Sequence, residues 1–268
     1  MVSLTSISND IYFQFRARQF DSLKKKRLGL FHVTDYTKAC MRNTYYAHIK
    51  TDAKKSMGTD MMSMFFVGEA VHQLLDSAAP KGLGERLLAY NFVDDKPVEL
   101  LNKDGSPKDE IKKWDVLEWM KILIGESDSL YDITVDGTKQ KVIVDYKTWL
   151  SKGFPKKSPS DDHVYQVSEY KYLFNKTLDL DVKYGAIIYL DLSNRMAKPL
   201  IFPKELDSLT KIRAGLIAKY ELLRECYETG VLPPRVKTWL CEGYCEHAER
   251  CVAEEQLSVE DRRLEIVT

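Results

Sequence analysis

Two oppositely charged side chains end the most strongly β-patterned segment of the chain. The segment KVIVDYKTW (residues 141–149) is apolar and β-branched until it reaches Asp145 and Lys147. Side chains two residues apart on a strand point to the same face, and a buried charge is costly unless another group shares it. This pair therefore indicates either a strand-end ion pair or a site that holds a metal ion or a substrate.

Acidic residues on the preceding segment could complete such a site. Asp136-Gly137 predicts a hairpin turn, which would place a carboxylate of the preceding strand, from Glu126, Asp128 or Asp132, beside Asp145. Two carboxylates on neighbouring strands suit Mg²⁺ or Mn²⁺. A lysine beside them can activate the attacking water and stabilise charge on phosphate. The residues therefore predict hydrolysis of a phosphodiester bond.

Two helical pairs, each with a spacing of four residues, flank this segment. Gly68 and His72 share one face of an apolar helix, where the glycine allows close approach and the histidine could bind a metal ion. Gln166 and Tyr170 share a face of the helix after the strand and could orient Lys147 or contact a phosphate. The simpler interpretations are a core histidine and an ordinary polar helix face.

Taken in order, these motifs resemble those of the PD-(D/E)xK nuclease superfamily, and in particular its RecB-like exonuclease branch. The motifs are Gly68-x-x-x-His72, a glycine-then-aspartate element in Gly125-Glu126-Ser127-Asp128, Asp145-x-Lys147 and Gln166-x-x-x-Tyr170. Asp132 is the reserve candidate for the aspartate of the second motif. The resemblance implies four metal ligands, which are His72, Asp128, Asp145 and the carbonyl of Tyr146. It also implies that Lys147 is the catalytic lysine and that Gln166 and Tyr170 support it. The reaction implied is metal-dependent cleavage of DNA, by an exonuclease that acts on single strands or ends.

Clustered cysteines indicate a second metal site. Three lie in the segment CEGYCEHAERC and one lies far upstream; the four are Cys40, Cys241, Cys245 and Cys251. Inside a cell such clustering favours metal binding over disulfides, and four thiols suit zinc or an iron-sulfur cluster. His247 is an alternative zinc ligand. Cys226 falls on the apolar stripe of a helix and is predicted to be a core residue.

The arrangement of these cysteines resembles the iron-sulfur staple of the same nuclease branch, which is found in CRISPR-associated exonucleases and in the AddB helicase-nuclease subunit. The resemblance implies a structural 4Fe-4S cluster that ties the chain ends around the nuclease core. The spacing here, C-x3-C-x5-C, differs by one residue from the C-x2-C-x5-C of those proteins. Zinc therefore stays the alternative.

The order of predicted elements indicates one α/β domain. Helices are predicted over about 7–27, 34–50, 59–77, 160–176 and 205–229, and strands over about 85–149 and 185–192. The resemblance implies a restriction-endonuclease-like core, a mixed β-sheet flanked by helices. In this single nuclease domain (1–268), residues 1–58 contribute Cys40, 59–192 form the core, and 193–268 supply a helix and the cysteine-rich tail.

The charge balance limits the expected partners. Lys plus Arg (40) equals Asp plus Glu (40), so DNA must be met by local cations. The candidates are Lys152, Lys156 and Lys157 around Phe154, the basic run 24–27, and Arg42. No GxxxxGK[ST] loop is present, so no helicase motor is expected.

Other expectations concern location and partners. The sequence contains no signal-peptide pattern and no apolar run of ~18 residues, so we expect an intracellular, cytoplasmic protein with no membrane partner, whether cellular or phage-encoded. The resemblance implies DNA, proteins of CRISPR adaptation or recombination, and a homo-oligomer as partners. Two alternatives to the exonuclease are a DNA-binding or assembly subunit with little turnover, and a zinc-stapled endonuclease.

Overall fold

The structure, a computed structural model, describes most of the chain from residue 31 onward. The described residues are 31–49, 68, 70–71, 87–126, 129–135, 137–149, 158–192, 198–238, 241, 245 and 247–254. The predicted helix over 7–27 lies outside them. Of the predicted helix over 59–77, only residues 68, 70 and 71 are described, and all three are helical.

The first described segment forms two short helices, α1 (Val33–Tyr36) and α2 (Met41–His48), where the sequence predicts one helix over 34–50. The break has local causes. Thr37 Oγ1 donates to the carbonyl of Thr34 at 3.2 Å, and Cys40 takes an extended backbone conformation as the N-cap of α2. The two helices are tied together by Thr44, whose hydroxyl donates to the carbonyl of Asp35 at 2.8 Å.

Two sheets follow, and the second is mixed. The first has the order β2-β1-β3 and is antiparallel, with β1 (Leu88–Asn91), β2 (Lys96–Pro97) and β3 (Ile122–Gly125); helix α3 (Val116–Met120) precedes β3. The second has the order β4-β5-β6-β7, with β4 (Ser129–Val135), β5 (Thr138–Trp149), β6 (Tyr184–Asp191) and β7 (Leu200–Glu205). Only β5 and β6 are parallel. The predicted mixed sheet is therefore confirmed, whereas the predicted strand region 85–149 divides between two sheets.

The predicted hairpin joins β4 to β5. The two strands pair from Val135 with Thr138 to Ser129 with Val144, so the loop consists of residues 136–137. Gly137 has φ of 78°, in the left-handed region that such tight turns require. β5 continues five residues beyond its last pairing with β4, and along this part it pairs with β6 alone among the described strands.

Helix α4 (Asp161–Leu178) connects the parallel strands β5 and β6 across one face of the mixed sheet. Its residues 166–174 are all buried. The close contact depends on Gly185 of β6, because a Cβ there would lie 2.3 Å from Cγ1 of Val167. The helix and the two strands thus form a tightly packed β-α-β unit.

The C-terminal helix α5 (Leu209–Thr229) begins later than the predicted 205 because β7 occupies the chain up to Glu205. Ser208 caps it by accepting from the backbone N–H of Lys211 at 3.3 Å. Its buried face contains Cys226, which is 5% exposed, so the prediction of a core residue is confirmed. Within the described residues, no helix is both long and apolar enough to cross a bilayer.

Candidate active site on strand β5

Asp145 and Lys147 lie on the face of β5 that packs against α4. Asp145 is 1% exposed, in the interior of the strand pair β5 and β6. The ammonium of Lys147 lies 3.0 Å from Oδ1 and 2.9 Å from Oδ2 of Asp145. The predicted pairing on one face of the strand is therefore confirmed, and the carboxylate that it involves is deeply buried.

Gln166 and Tyr170 of α4 extend this pair into a hydrogen-bonded row. Lys147 Nζ donates to Oε1 of Gln166 at 2.9 Å, and Nε2 of Gln166 donates to the hydroxyl of Tyr170 at 3.1 Å. Both ends of the Gln166 amide are thus in use, which fixes the orientation of its oxygen toward the lysine. The structure brings together four residues for which the family resemblance predicts a part in catalysis. On account of that prediction we name Asp145, Lys147, Gln166 and Tyr170 the catalytic row.

Close packing at Gly125 holds the far end of this row. A Cβ at Gly125, the last residue of β3, would lie 2.9 Å from Cε1 of Tyr170 and 2.8 Å from Cγ2 of Val33. The missing side chain lets the end of β3 approach the ring of Tyr170 directly. The sequence assigned this glycine to a glycine-then-aspartate motif; in the structure it serves packing.

Two of the predicted metal ligands, His72 and Asp128, lie outside the described residues. The last described pairing of β4 is Ser129 with Val144, one residue before Asp145. Gly68, four residues before His72 in the sequence, approaches the end of β5, since a Cβ there would lie 3.2 Å from Oγ1 of Thr148. Within the described residues, no group of three or more His, Cys, Asp or Glu side chains is arranged to hold a metal ion.

The two remaining candidate ligands are Asp132 and Tyr146. Asp132, the alternative first acid, pairs with Lys141 at 2.8 Å, and its side chain is 55% exposed. Lys141 stands four residues before Asp145, about 13 Å along the strand, so the structure does not bring Asp132 to the catalytic row. The side chain of Tyr146 points to the opposite face, where its hydroxyl lies 2.8 Å from that of Tyr131. This orientation leaves only its backbone carbonyl as a candidate ligand.

Sequence reasoning missed His163 and Tyr189. Nδ1 of His163 lies 2.6 Å from the hydroxyl of Tyr189, and the backbone N–H of Ser160 donates to the same hydroxyl at 3.1 Å. Tyr189 is the partner of Lys147 in the β5–β6 register. Burial, and then the charge of Lys147, lower the pKa of His163 to about 4. One signal was present, because His163 precedes Gln166 by one helical turn.

A buried carboxyl lies beside the row on α4. Glu169 is 5% exposed, and its Oε1 lies 3.8 Å from Nζ of Lys219 on α5. Burial raises the pKa of Glu169 from 4.5 to about 8, although the lysine opposes the shift. Helix α4 therefore carries a neutral carboxylic acid at neutral pH.

All four predicted cysteine ligands line one cavity. The cavity is open to solvent and joins the start of α2 to the C-terminal tail. Its wall contains Cys40, Cys241, Cys245 and Cys251. His247, the alternative zinc ligand, also lines it and is 3% exposed. The structure thus brings the upstream cysteine to the C-terminal three.

Two donors in the cavity point at sulfur atoms. Arg42 Nη1 lies 3.4 Å from Sγ of Cys251, and Asn43 Nδ2 lies 3.3 Å from Sγ of Cys245. N–H donors and a guanidinium stabilise thiolates, so the cavity has the donors that a thiolate site needs, although the described thiols themselves are not arranged as a metal-holding group. Arg42 also donates to the carbonyl of Pro233 at 2.7 Å. It therefore lies beside the thiols, as predicted; the other predicted DNA contacts, 24–27 and the loop around Phe154, lie outside the described residues.

Comparisons with known proteins give little beyond this geometry. No family model matches the chain, and no curated protein matches it. Among solved structures, the crystal structure of SSO0001 aligns with a TM-score of 0.49 and 18% sequence identity. The alignment covers 91% of this chain and 96% of that chain. What the described residues establish by themselves is an α/β fold in which helices flank a mixed and an antiparallel sheet.

Proposed function

We propose that this protein is a metal-dependent deoxyribonuclease with a PD-(D/E)xK core, which acts as an exonuclease on single strands or ends. The observation that carries the proposal is the catalytic row. A buried carboxylate, a lysine, an amide and a phenol stand in one hydrogen-bonded line at the end of a strand. A structural ion pair does not require the amide and phenol, whose contacts fix the position of the lysine.

Each member of the row has a chemical part in phosphodiester hydrolysis. Lys147 Nζ donates to Gln166 and lies 3.0 and 2.9 Å from the two carboxylate oxygens of Asp145. The ammonium can hold the attacking water or stabilise a phosphate oxygen as its charge grows. Gln166 orients the ammonium without adding negative charge, and Tyr170 keeps the amide from turning.

Asp145 would also hold the metal, together with His72, Asp128 and the carbonyl of Tyr146. Mg²⁺ or Mn²⁺ there would supply a Lewis acid for the phosphate. The burial of Asp145 fits this role, because a carboxylate that is 1% exposed gains more from a cation than one in water. Asp145 supplies one negative charge, so a divalent cation calls for a further acid, which Asp128 would supply.

The four cysteines would hold a 4Fe-4S cluster, with zinc as the alternative. The shared cavity and the two N–H donors to sulfur support this part of the proposal. Such a cluster would tie α2 to the C-terminal tail and act structurally. Iron and sulfide analysis of anaerobically purified, brown protein would support it, whereas colourless protein with stoichiometric zinc would favour the zinc-stapled endonuclease.

The deciding experiment is digestion of DNA labelled at the 5′ or 3′ end, single- and double-stranded, with Mg²⁺ or Mn²⁺. Asp145→Ala and Lys147→Ala should abolish cleavage. Asp132→Ala and Lys141→Ala are matched controls, because they remove a more exposed acid–lysine pair from the same β4–β5 hairpin. These controls should cut like the wild type.

Two results would overturn the proposal. One is a wild-type protein that cuts none of these substrates with either metal. The other is equal cleavage by the wild type and the Asp145 and Lys147 variants. In either case a DNA-binding or assembly subunit becomes the better account, and retained DNA binding by the same preparations would support it.

A further inference from the structure

His163 shares a helix face with two members of the catalytic row. Positions 163, 166 and 170 of α4 follow the spacing of one helical face, so the imidazole lies one turn before Gln166. It stands close enough to Lys147 for the ammonium charge to act on it. His163 therefore borders the row on the side of the helix start.

The contact with Tyr189 bears on the tautomer of this imidazole. The backbone N–H of Ser160 donates to the Tyr189 hydroxyl oxygen, which lies 2.6 Å from Nδ1 of His163. Burial, and then the charge of Lys147, lower the pKa of His163 to about 4, so the ring is neutral at physiological pH. A neutral imidazole that accepts the phenol proton at Nδ1 carries its single proton on Nε2. In that tautomer His163 is a hydrogen-bond donor at Nε2.

This donor has no protein acceptor in the described part of the chain. The hydrogen bonds of His163 there are the one to Tyr189 and that of its backbone N–H to Ser160. Nε2 thus provides a neutral N–H beside the cationic Lys147. An anionic oxygen suits both groups, and an uncharged donor can bind it without repelling a nearby metal ion.

We propose that the Tyr189 phenol donates to Nδ1 of His163 and that Nε2 of His163 donates a hydrogen bond to a non-bridging oxygen of the DNA phosphate next to the one that is cleaved. The inference rests on the proposed nuclease function. Lys147 and the metal serve the scissile phosphate, and His163, one turn along α4, serves its neighbour. His163 thereby fixes the register of the strand in the site.

The test combines the removal of one side chain, His163, with the removal of the charge of one DNA phosphate at a time. Single-stranded DNA is prepared with a neutral methylphosphonate at one linkage at a time, and cleavage rates are compared for the wild type and His163→Ala. The wild type should lose roughly 10- to 100-fold at one linkage beside the cut, the value of a hydrogen bond to a charged acceptor. His163→Ala should show a similar loss on unmodified DNA and no further loss at that linkage.

Two further variants separate contact from architecture. His163→Gln should recover part of the rate, because the glutamine amide can donate from the position of Nε2. Tyr189→Phe keeps the ring but removes the hydroxyl, and should weaken the effect at the same linkage. His48→Gln is the matched control, a histidine paired with Asp35 away from the row, and should leave the methylphosphonate profile unchanged.

The outcomes distinguish this inference from the nuclease proposal. Cleavage that depends on Asp145, combined with an unchanged methylphosphonate profile in His163→Ala, overturns the phosphate contact and leaves the nuclease intact. A His163→Ala protein that loses sensitivity to the methylphosphonate equally at every linkage also overturns the phosphate contact. The same set of methylphosphonate DNAs can be compared by equilibrium binding to Asp145→Ala and to Asp145→Ala/His163→Ala, which requires no cleavage. A linkage-specific effect in binding supports the contact even if the wild type proves inert.

Discussion

Replacing Glu169 by Gln should remove one cause of the loss of folding stability that the wild type undergoes as pH rises. Glu169 lies on α4 between Gln166 and Tyr170, is 5% exposed, and has its nearest cation, Lys219 Nζ, at 3.8 Å. Its Oε2 has no hydrogen-bond partner within the described residues. A glutamine has nearly the same shape and stays neutral at every pH.

The sign and size of the effect follow from the pKa of about 8 in the folded protein and 4.5 as the ordinary value. Between these pH values the folded state holds a proton that the unfolded state has released, so the free energy of unfolding falls as pH rises. The full difference is on the order of 4 to 5 kcal/mol above pH 8, at about 1.4 kcal/mol per pKa unit. At pH 7 the wild type has lost roughly 3 kcal/mol of its free energy of unfolding from this group.

Urea unfolding of the wild type and Glu169→Gln at pH 5, 6, 7 and 8 would measure this. The difference between the two proteins is the relevant quantity, because it cancels groups such as His163, whose lowered pKa makes the stability rise with pH between about 4 and 6.5. The free energy of unfolding of the variant should rise relative to that of the wild type at each step in pH. A constant difference between the two proteins, or a rise of the wild type relative to the variant, would refute the burial argument.

Three further predictions concern the row, its packing and the cysteines. Gln166→Ala should lower the DNA cleavage rate roughly 10- to 100-fold without unfolding the protein, since the lysine loses a charged hydrogen bond; rates equal to wild type, with unchanged circular dichroism, would argue against the row. Gly185→Ala should cost about 1 to 3 kcal/mol in urea unfolding and lose less in a Val167→Ala background, because a Cβ there would meet Val167 at 2.3 Å; simple additivity would contradict this contact. Cys40→Ser should lower bound metal and melting temperature, whereas buried Cys226→Ser should retain the metal; equal metal content in both would exclude Cys40 as a ligand.

The parts of the site that sequence could predict depend on local geometry. The spacing of Asp145 and Lys147 on a strand, and of Gln166 and Tyr170 on a helix, sets each pair on one face regardless of the rest of the fold. The hairpin is equally local, because Gly137 supplies the positive φ that its turn requires. The resemblance then supplied the order in which the pairs belong together.

What sequence could not predict depends on contacts between distant residues. The His163–Tyr189 bond joins positions 26 residues apart on a helix and a strand, and no periodicity indicates it. Strand β7 was missed because it is largely exposed and contains Pro203, so its apolar pattern is weak. Gly125 was assigned to a motif because the approach of Tyr170 to it becomes visible only after the two sheets are placed.

The division of the catalytic row between a hairpin and a crossover sets the time at which it forms. The β4–β5 hairpin closes through a two-residue loop, a microsecond event for a free chain. The parallel pairing of Asp145 with Ile187 must wait for α4 and β6, with the larger entropy of closing a long loop. During synthesis, a ribosome-bound chain that has released β5 alone holds the acid and the lysine but not the groups that fix them. Under the proposed function, cleavage competence would therefore arrive only with β6, late in assembly, and an incomplete chain would pose little danger to the DNA around it.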